Sequence, residues 1–572
     1  MKASDAIAKF LVAHKVQTCF ELVGGMITHL LDSFAASGQF TIISMHHEQA
    51  AAFAAEGVAR QTKGKKIAIA MGTSGPGATN LLTSVGSCWF DSIPCLFITG
   101  QVNTGELKGD RAIRQQGFQE LDIVEVSKSL TKYAKRIDHV NDLLPALHQA
   151  LSLALDGRQG PVLVDIPNDI QRADISDDYL KKWINTPLNI SSDHEPKFND
   201  LNTLKTFSYD AKRPLICIGG GARWADSMNQ WLANANELGI PYVSTLMGHE
   251  RVITTNSYFN MIGSYGNREA NWAIQNCDLL IVVGARLDVR QTGAEVDDFA
   301  RSARIVQIDI DPNQLNNRVQ ADLNICSSAE SFFNSYALNE DTFPNLDKTW
   351  LIDLAEKRDH ALINEYKDWK ISPSDFFKEI NNFFKGIALH YVCDVGNHQM
   401  WAAHNIRLQP NQAIHYSGGM GAMGFALPIA IGVSISSNMK TLVITGDGSL
   451  QVNIQELDTL KRLNLDIIII VMNNSALGMV KNFQDVYFNG RNQSTKKGYS
   501  SPSFVKVALA YGIKAYKIED ISELKKMKKI LLKKSGPILL EIIMHNANEC
   551  RPRLEFKSKL DDQSPNLKKE IN

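Results

Sequence analysis

The sequence predicts an α/β protein of three consecutive doubly wound parallel-sheet domains, and three observations predict it. Short β-branched runs alternate with segments of helical length along the whole chain. The runs are continuously apolar, as strands covered on both faces are, and do not alternate as half-exposed strands do. The pattern occurs three times, at intervals that suit 572 residues divided into domains of roughly 150.

The first domain (1–170) carries the runs Ile67–Ala70, Cys95–Ile98 and Val162–Asp165, with a helical stretch from Gly77 to Trp89 between the first two. The second (190–345) carries Leu215–Ile218, Leu279–Val283 and Ile305–Ile308. The third (372–550) carries Leu442–Ile444, Ile467–Val471 and Ile538–Ile543. Polar stretches near Asp169–Asp200 and Glu340–Ser372 read as linkers, the latter holding a charged helix around Trp350–Trp369. The tail, 551–572, is charged and interrupted by proline, so an extended or partly mobile segment is expected there.

Composition excludes several function classes. Lys+Arg number 60 against 61 Asp+Glu, a net charge of −1, which rules out bulk electrostatic binding of nucleic acid. With 44% hydrophobic and 21% charged residues, the chain can bury several cores without staples. Its eight cysteines form no C-x-x-C pair and suit neither a zinc site nor a disulfide framework, which points to a reducing compartment. Asp5 and Lys9 interrupt any signal-peptide core, and the most apolar stretch, Leu465–Met472, is far too short to span a bilayer. A soluble, cytoplasmic protein with no membrane partner is the expectation.

The most specific chemical signal is Gly446-Asp447-Gly448-Ser449 after the run Leu442–Ile444, matched by Asn473-Asn474 after Ile467–Val471; Asn474 follows Asp447 by 27 residues. Two adjacent parallel strands would bring a carboxylate and an amide oxygen to one strand-end crevice, where α/β sheets bind ligands. Hard oxygen donors suit Mg²⁺, which retains phosphate oxygens in its shell. The flanking glycines let backbone approach a diphosphate closely. Taken singly, each motif is an ordinary turn; the pairing at two strand ends makes a site.

A second signal is His47-Glu48-Gln49-Ala50, opening a helix to Arg60 after the strand-like Ile42–Met45. Alone, a Glu there only complements the helix dipole. Third, Gly72-Thr73-Ser74-Gly75-Pro76-Gly77-Ala78-Thr79-Asn80 is a Gly-rich loop before a helix, by itself a tight turn or a phosphate cradle. The middle domain adds Gly219-Gly220-Gly221 after a strand, then Thr245-Leu246, Gly284-Ala285-Arg286-Leu287-Asp288-Val289-Arg290, Asp309-Ile310 and Asp322. The alternative for Arg286 and Arg290 is a surface or inter-domain ion pair.

On these residues the chain resembles the thiamine diphosphate (ThDP) enzymes, whose cofactor motif is GDG followed by NN. Within them it resembles the acetolactate synthase (acetohydroxyacid synthase) branch, through the 72–80 loop, Phe90-Asp91-Ser92-Ile93-Pro94, Ile98–Val102 and Gly117-Phe118-Gln119-Glu120. The likeness extends over about residues 1–545 and implies pyrimidine-binding, central FAD-type and diphosphate-binding domains in that order. It implies that Asp447, Asn474 and the Ala476 carbonyl bind Mg²⁺, and that Glu48 activates the cofactor's aminopyrimidine. Gly25 would face the thiazolium, and Phe118 and Gln119 would reach the site of a neighbouring subunit. The implied ThDP contacts are Thr79, Asn80, Gly396, Asn397, His398, Gly421, Gly448, Ser449, Gly478 and Met479, with Met423 beneath the bent cofactor. Structural FAD is implied at Arg158, Gly219, Gly220, Gly221, Thr245, Leu246, Gly284, Ala285, Arg286, Asp288, Arg290, Asp309, Ile310 and Asp322. Sites shared between subunits imply a homodimer or homotetramer, and a small regulatory subunit is a further implied partner.

The implied reaction joins two pyruvate molecules into 2-acetolactate with loss of CO₂, as in branched-chain amino acid biosynthesis. Three features depart from the branch. Phe483 stands where a Trp that favours 2-oxobutyrate is usual, Leu477 replaces a common Gln, and Gly105–Gln116 is longer and more charged than usual. Two other readings therefore stay open: transfer of the two-carbon unit to another carbonyl, such as a nucleotide-linked keto-sugar, and a 2-oxo acid decarboxylase or oxidase.

Overall fold

The computed structural model describes every residue except 192–193, 367–368, 534–535, 546, 548 and 567–572. It holds three six-stranded, wholly parallel sheets in an α/β fold. The first sheet contains β1 (Thr18–Glu21), β2 (Thr41–Ser44), β3 (Ile69–Gly72), β4 (Leu96–Gln101), β5 (Tyr133–Arg136) and β6 (Val162–Pro167). The second contains β7 (Pro214–Ile218), β8 (Tyr242–Ser244), β9 (Tyr258–Met261), β10 (Leu279–Val283), β11 (Arg304–Asp309) and β12 (Leu323–Cys326). The third contains β13 (Leu389–Cys393), β14 (Gln412–Tyr416), β15 (Thr441–Gly446), β16 (Ile467–Asn473), β17 (Lys514–Ile518) and β18 (Ile538–Ile543).

The first and third sheets share one strand order, β2-β1-β3-β4-β6-β5 and β14-β13-β15-β16-β18-β17. The second runs β12-β11-β10-β7-β8-β9, which is the 3-2-1-4-5-6 order of dinucleotide-binding sheets read from its other edge. Central strands are buried throughout. Every residue of β16, Ile-Ile-Ile-Ile-Val-Met-Asn, is buried between β15 and β18.

The helix Glu48–Gln61 follows β2, and the helix Ala426–Ser437 follows β14, at equivalent places in the two matching domains. They pack directly on each other. A Cβ at Gly57 would overlap the Ile429 carbonyl, and one at Gly432 would overlap the Ala54 carbonyl, so these two glycines set the approach. Around them Ala50, Ala51, Ala52, Ala54 and Ala55 are fully buried, and Phe53 meets Phe425 edge to face.

All three domains meet at a buried charge cluster. Arg60 donates to Glu56 and Asp91 of the first domain and to Glu250 of the second, while Arg223 pairs with Glu250 at 3.1 Å. The third domain enters through the Tyr416 amide on Glu250.

Two connecting segments are more ordered than linkers. The first contains the helices Asn168–Arg172 and Asp177–Asn185; the second contains Trp350–Asn364, as expected. The tail does not run free as far as residue 566. Arg553–Leu554 pairs antiparallel with Gln563–Ser564, and Leu554 N–H donates to Ser264 O at 2.7 Å. Leu560 is buried in the second domain's core, and that apolar contact holds the segment down. All eight cysteines are free thiols, seven of them buried. Among the described residues, no helix is long and apolar enough to cross a membrane.

Candidate functional site

The first half of the site lies at the C-terminal ends of β15 and β16. Their register pairs Gly446 with Met472, so Asp447 emerges beside Asn473 and Asn474. Asp447 opens the helix Asp447–Val452 and is 2% exposed. Burial pushes its carboxyl up to about 6, opposed by the Tyr499 hydroxyl, which donates to Oδ2 at 2.9 Å, and by backbone amides including that of Ala476. Asn474 donates from Nδ2 to the Ala547 carbonyl at 2.7 Å, and its Oδ1 accepts from the Ala476 amide.

Asn397 sits against this group. A Cβ added at Gly478 would lie 2.5 Å from Asn397 Nδ2 and 2.7 Å from Asn474 Nδ2. Asn397 is buried, yet neither Nδ2 nor Oδ1 has a hydrogen-bond partner among the described residues. Buried amides are almost always paired, so an orphaned one aimed at a glycine-walled cradle makes this a candidate ligand position. His398 Nε2 is likewise unpartnered, and burial holds its imidazole down to about 3, hence neutral. Gly396 has φ +153° and leaves room where a side chain would strike the His398 ring. Ser449 Oγ donates to Val395 O at 2.8 Å, tying the two strand-end loops together. Met423 Cε lies 3.4 Å from where a Gly448 Cβ would stand, and nothing lies within 4 Å of a Cβ at Gly421. Met479 is half-buried against the third domain's core.

The second half belongs to the first domain. Glu48 is the first residue of its helix, whose cap is His47 Nδ1 accepting from the Gln49 amide. Glu48 is 7% exposed, and its Oε2 accepts from Asn80 Nδ2 at 2.9 Å. Gly77 faces Oε1, and a Cβ there would sit 3.3 Å away. Gly25 has open space on its Cβ side, whereas Gly24 is held tight against Thr73. Thr79 is exposed and donates to Pro76 O. Gln119 adopts φ +64° and packs on Gly75, while Phe118 is 79% exposed. Hydrogen bonds from this region to the third domain run through the neighbours of Glu48, from Asn453 to Gln49 and from His46 to Glu456.

A cavity of about 530 Å³ opens at the ends of β7 and β10, the switch point of the second sheet. Of the residues expected to hold a dinucleotide, Arg158, Gly220, Gly221, Thr245, Leu246, Gly284, Ala285, Arg286, Asp288, Arg290, Asp309 and Ile310 line it. Gly219 stands behind the wall, so close to Gly284 that no side chain fits. Asp322 is not on the wall; its carboxylate accepts from the Ile305 amide at 2.7 Å and serves the sheet. Arg286 pairs with Asp288 at 2.8 Å, and Arg158 bonds Ser92 and Asp311.

Two residues here were not singled out from sequence. Tyr499 lies in a Lys- and Gly-rich loop that carries no motif. Asp394 is 1% exposed, and its carboxylate accepts from the amides of Val395, Gly424 and Ala426 at 2.8, 3.1 and 3.0 Å. Its place directly after β13, in Asp394-Val395-Gly396-Asn397, was the available signal.

Residues 1–126 match the family described as thiamine pyrophosphate enzyme, N-terminal TPP binding domain. Residues 204–335 match its central domain, and 394–542 its C-terminal TPP binding domain. The chain is 31% identical over 563 residues to the acetolactate synthase large subunit of Cyanidium caldarium, covering 96% of this chain and 94% of that protein. It is 34% identical over 559 residues to the acetolactate synthase isozyme 2 large subunit of Escherichia coli K12 (96% and 97%). It is 33% identical over 562 residues to a probable acetolactate synthase large subunit of Methanocaldococcus jannaschii (96% and 92%).

Proposed function

The chain belongs to the acetolactate synthase large-subunit family of thiamine pyrophosphate enzymes, and from that premise we propose that it condenses two pyruvate molecules into 2-acetolactate. It is a ThDP-dependent enzyme that forms carbon–carbon bonds. One CO₂ leaves and one proton is taken up per acetolactate formed. The observation that carries the assignment is the orphaned Asn397 amide in the glycine cradle beside Asp447 and Asn474.

When bound, thiamine diphosphate supplies the electron-accepting ring that makes loss of CO₂ from a 2-oxo acid feasible. The chain's residues bind and orient. Asp447, Asn474 Oδ1 and the Ala476 carbonyl are the hard donors that would hold Mg²⁺. Tyr499 and the Ala547 carbonyl keep the first two in place. Glu48 holds or releases a proton at Oε1, because Asn80 occupies Oε2. The low exposure of Glu48 keeps water from competing for that proton. FAD in a structural role is the occupant we assign to the cavity at the second sheet's switch point, whose glycine walls and arginines suit a dinucleotide and which first- and third-domain residues such as Arg158, Asp91 and Gly418 also line. A homo-oligomer is supported by the exposed Phe118 ring and by a Glu48 whose described partner is Asn80. A cytoplasmic setting, supported by the cysteine pattern, belongs to the same proposal.

A second reading, transfer to a different carbonyl acceptor, is favoured by the 105–116 segment. That segment is folded: the Glu120 carboxylate accepts from the amides of Lys108, Gln116 and Gly117, next to Phe118. An NMR time course with pyruvate, ThDP, Mg²⁺ and FAD separates the readings. Acetolactate forming at about 1–10² per second supports the synthase. CO₂ release without acetolactate overturns it in favour of another acceptor.

A further inference from the structure

Asp91 is an expensive residue to keep where it stands. It ends the helix Pro76–Asp91, where the macrodipole disfavours a carboxylate, and it is 5% exposed. It pairs with Arg60 at 2.6 Å, a guanidinium that also bonds Glu56 and Glu250. The other two partners of its carboxylate lie in the third domain. Asp91 Oδ2 accepts from the Gly418 amide at 3.1 Å and Oδ1 from the Gly419 amide at 2.8 Å. A side chain is excluded most firmly at Gly419. A Cβ at Gly419 would come 2.5 Å from Phe90 Cβ, and one at Gly418 would overlap Met247 Sδ.

The segment from Ser417 to Gly424 is held again at its far end. Asp394 accepts from the Gly424 amide, and the Gly424 carbonyl accepts from Asn453. Between the two anchors, Met420 packs on Gly86 of the same helix as Asp91. Met423 reaches the Gly448 turn beside Asp447. One buried carboxylate from the first domain thus fixes one end of a short segment whose other end lines the cofactor half-site.

We propose that Asp91 is a positioning residue for thiamine diphosphate in its own chain, acting through the Gly418 and Gly419 amides to set Met423. This rests on Met423 lying beneath the cofactor. The test compares the wild type, Asp91→Asn and Glu56→Gln as full chains with magnesium. Glu56 belongs to the same charge cluster, touching Arg60, Ser84 and Ser87 but not the segment. ThDP affinity is read by intrinsic fluorescence titration, and hydrogen exchange of the 417–424 peptide is read without cofactor.

Asp91→Asn is expected to weaken ThDP binding about tenfold or more, which is a Kd effect, while kcat at saturating cofactor stays within about threefold. It is also expected to speed exchange in 417–424. Glu56→Gln is expected to lower the thermal midpoint while leaving the Kd within about twofold. Unchanged exchange in Asp91→Asn overturns the proposal at Asp91. Faster exchange with unchanged affinity overturns it at Met423. Equal loss of affinity in Glu56→Gln reduces Asp91 to a structural role. A wild type that binds no ThDP overturns the functional reading itself, separately from the exchange result.

Discussion

The first and third domains have the same strand order but carry different side chains at matching places. After the edge strand β2 the first domain starts a helix with Glu48; after β14 the third places Met423 and a helix that starts at Ala426. After β3 comes the neutral loop Gly72–Gly77, and after β15 comes Asp447. The scaffold fixes where strand ends lie, and the side chains there decide what each end does. One feature is common to both. Asp165 on β6 accepts from Gln101 at the end of β4, and Glu541 on β18 accepts from Asn473 at the end of β16. The offsets are identical, because Gln101 pairs with Pro167 and Asn473 with Ile543, each two residues beyond the carboxylate. In the first domain Gln101 also holds the Leu121 carbonyl of the Phe118 loop; in the third, Asn473 directly precedes Asn474.

The sharpest test of the division of labour is Glu48→Gln, expected to cut kcat by about 10²–10⁴-fold with ThDP binding retained. Asp447→Asn should do the reverse and raise the Mg²⁺ and ThDP concentrations needed for activity. Equal kinetic signatures in the two variants would break the comparison. Next in size, Gly432→Ala forces a methyl into the Ala54 carbonyl and should cost about 1–3 kcal/mol or more in denaturant unfolding, since the paired helices must separate.

The shared carboxylate gives a pH test. Burial pushes Asp165 from the usual 3.8 up to about 7, so the folded state keeps a proton that the unfolded chain releases. The stability from that proton is full below about pH 4 and is lost as pH rises through 7. Asp165→Asn removes this dependence, so the thermal midpoint of the wild type should fall relative to the variant between about pH 4 and 7; parallel curves would refute it. The smallest effect is Tyr499→Phe, which deletes one hydrogen bond to Asp447 and should weaken Mg²⁺-dependent activation by a factor corresponding to about 1 kcal/mol.

Legibility in the chain followed burial. The long central strands β15, β16 and β18 were readable as apolar runs because both faces are covered. Edge strands such as β5 (Tyr-Ala-Lys-Arg) and β17 (Lys-Ala-Tyr-Lys-Ile) carry lysine and were not, since a strand with one neighbour keeps solvent beside it. The tail misled for a related reason: its charged composition hides the few apolar contacts, Leu554 and Leu560, that bind it to the second domain.

Motif residues close together along the chain, Asp447 with Gly448, Glu48 with its helix, and Asn473 with Asn474, were enough to single out both halves of the candidate site. Their places follow from local rules: a strand end, a turn and a helix start occur wherever these residues occur. The partners of those residues come from far along the chain. Asn80 on Glu48, Tyr499 on Asp447, and Asp91 on Gly418 and Gly419 are separated by 32, 52, 327 and 328 positions, respectively. No spacing rule connects such pairs, because a polar side chain finds its partner only after the three cores have excluded water and left the two groups facing each other.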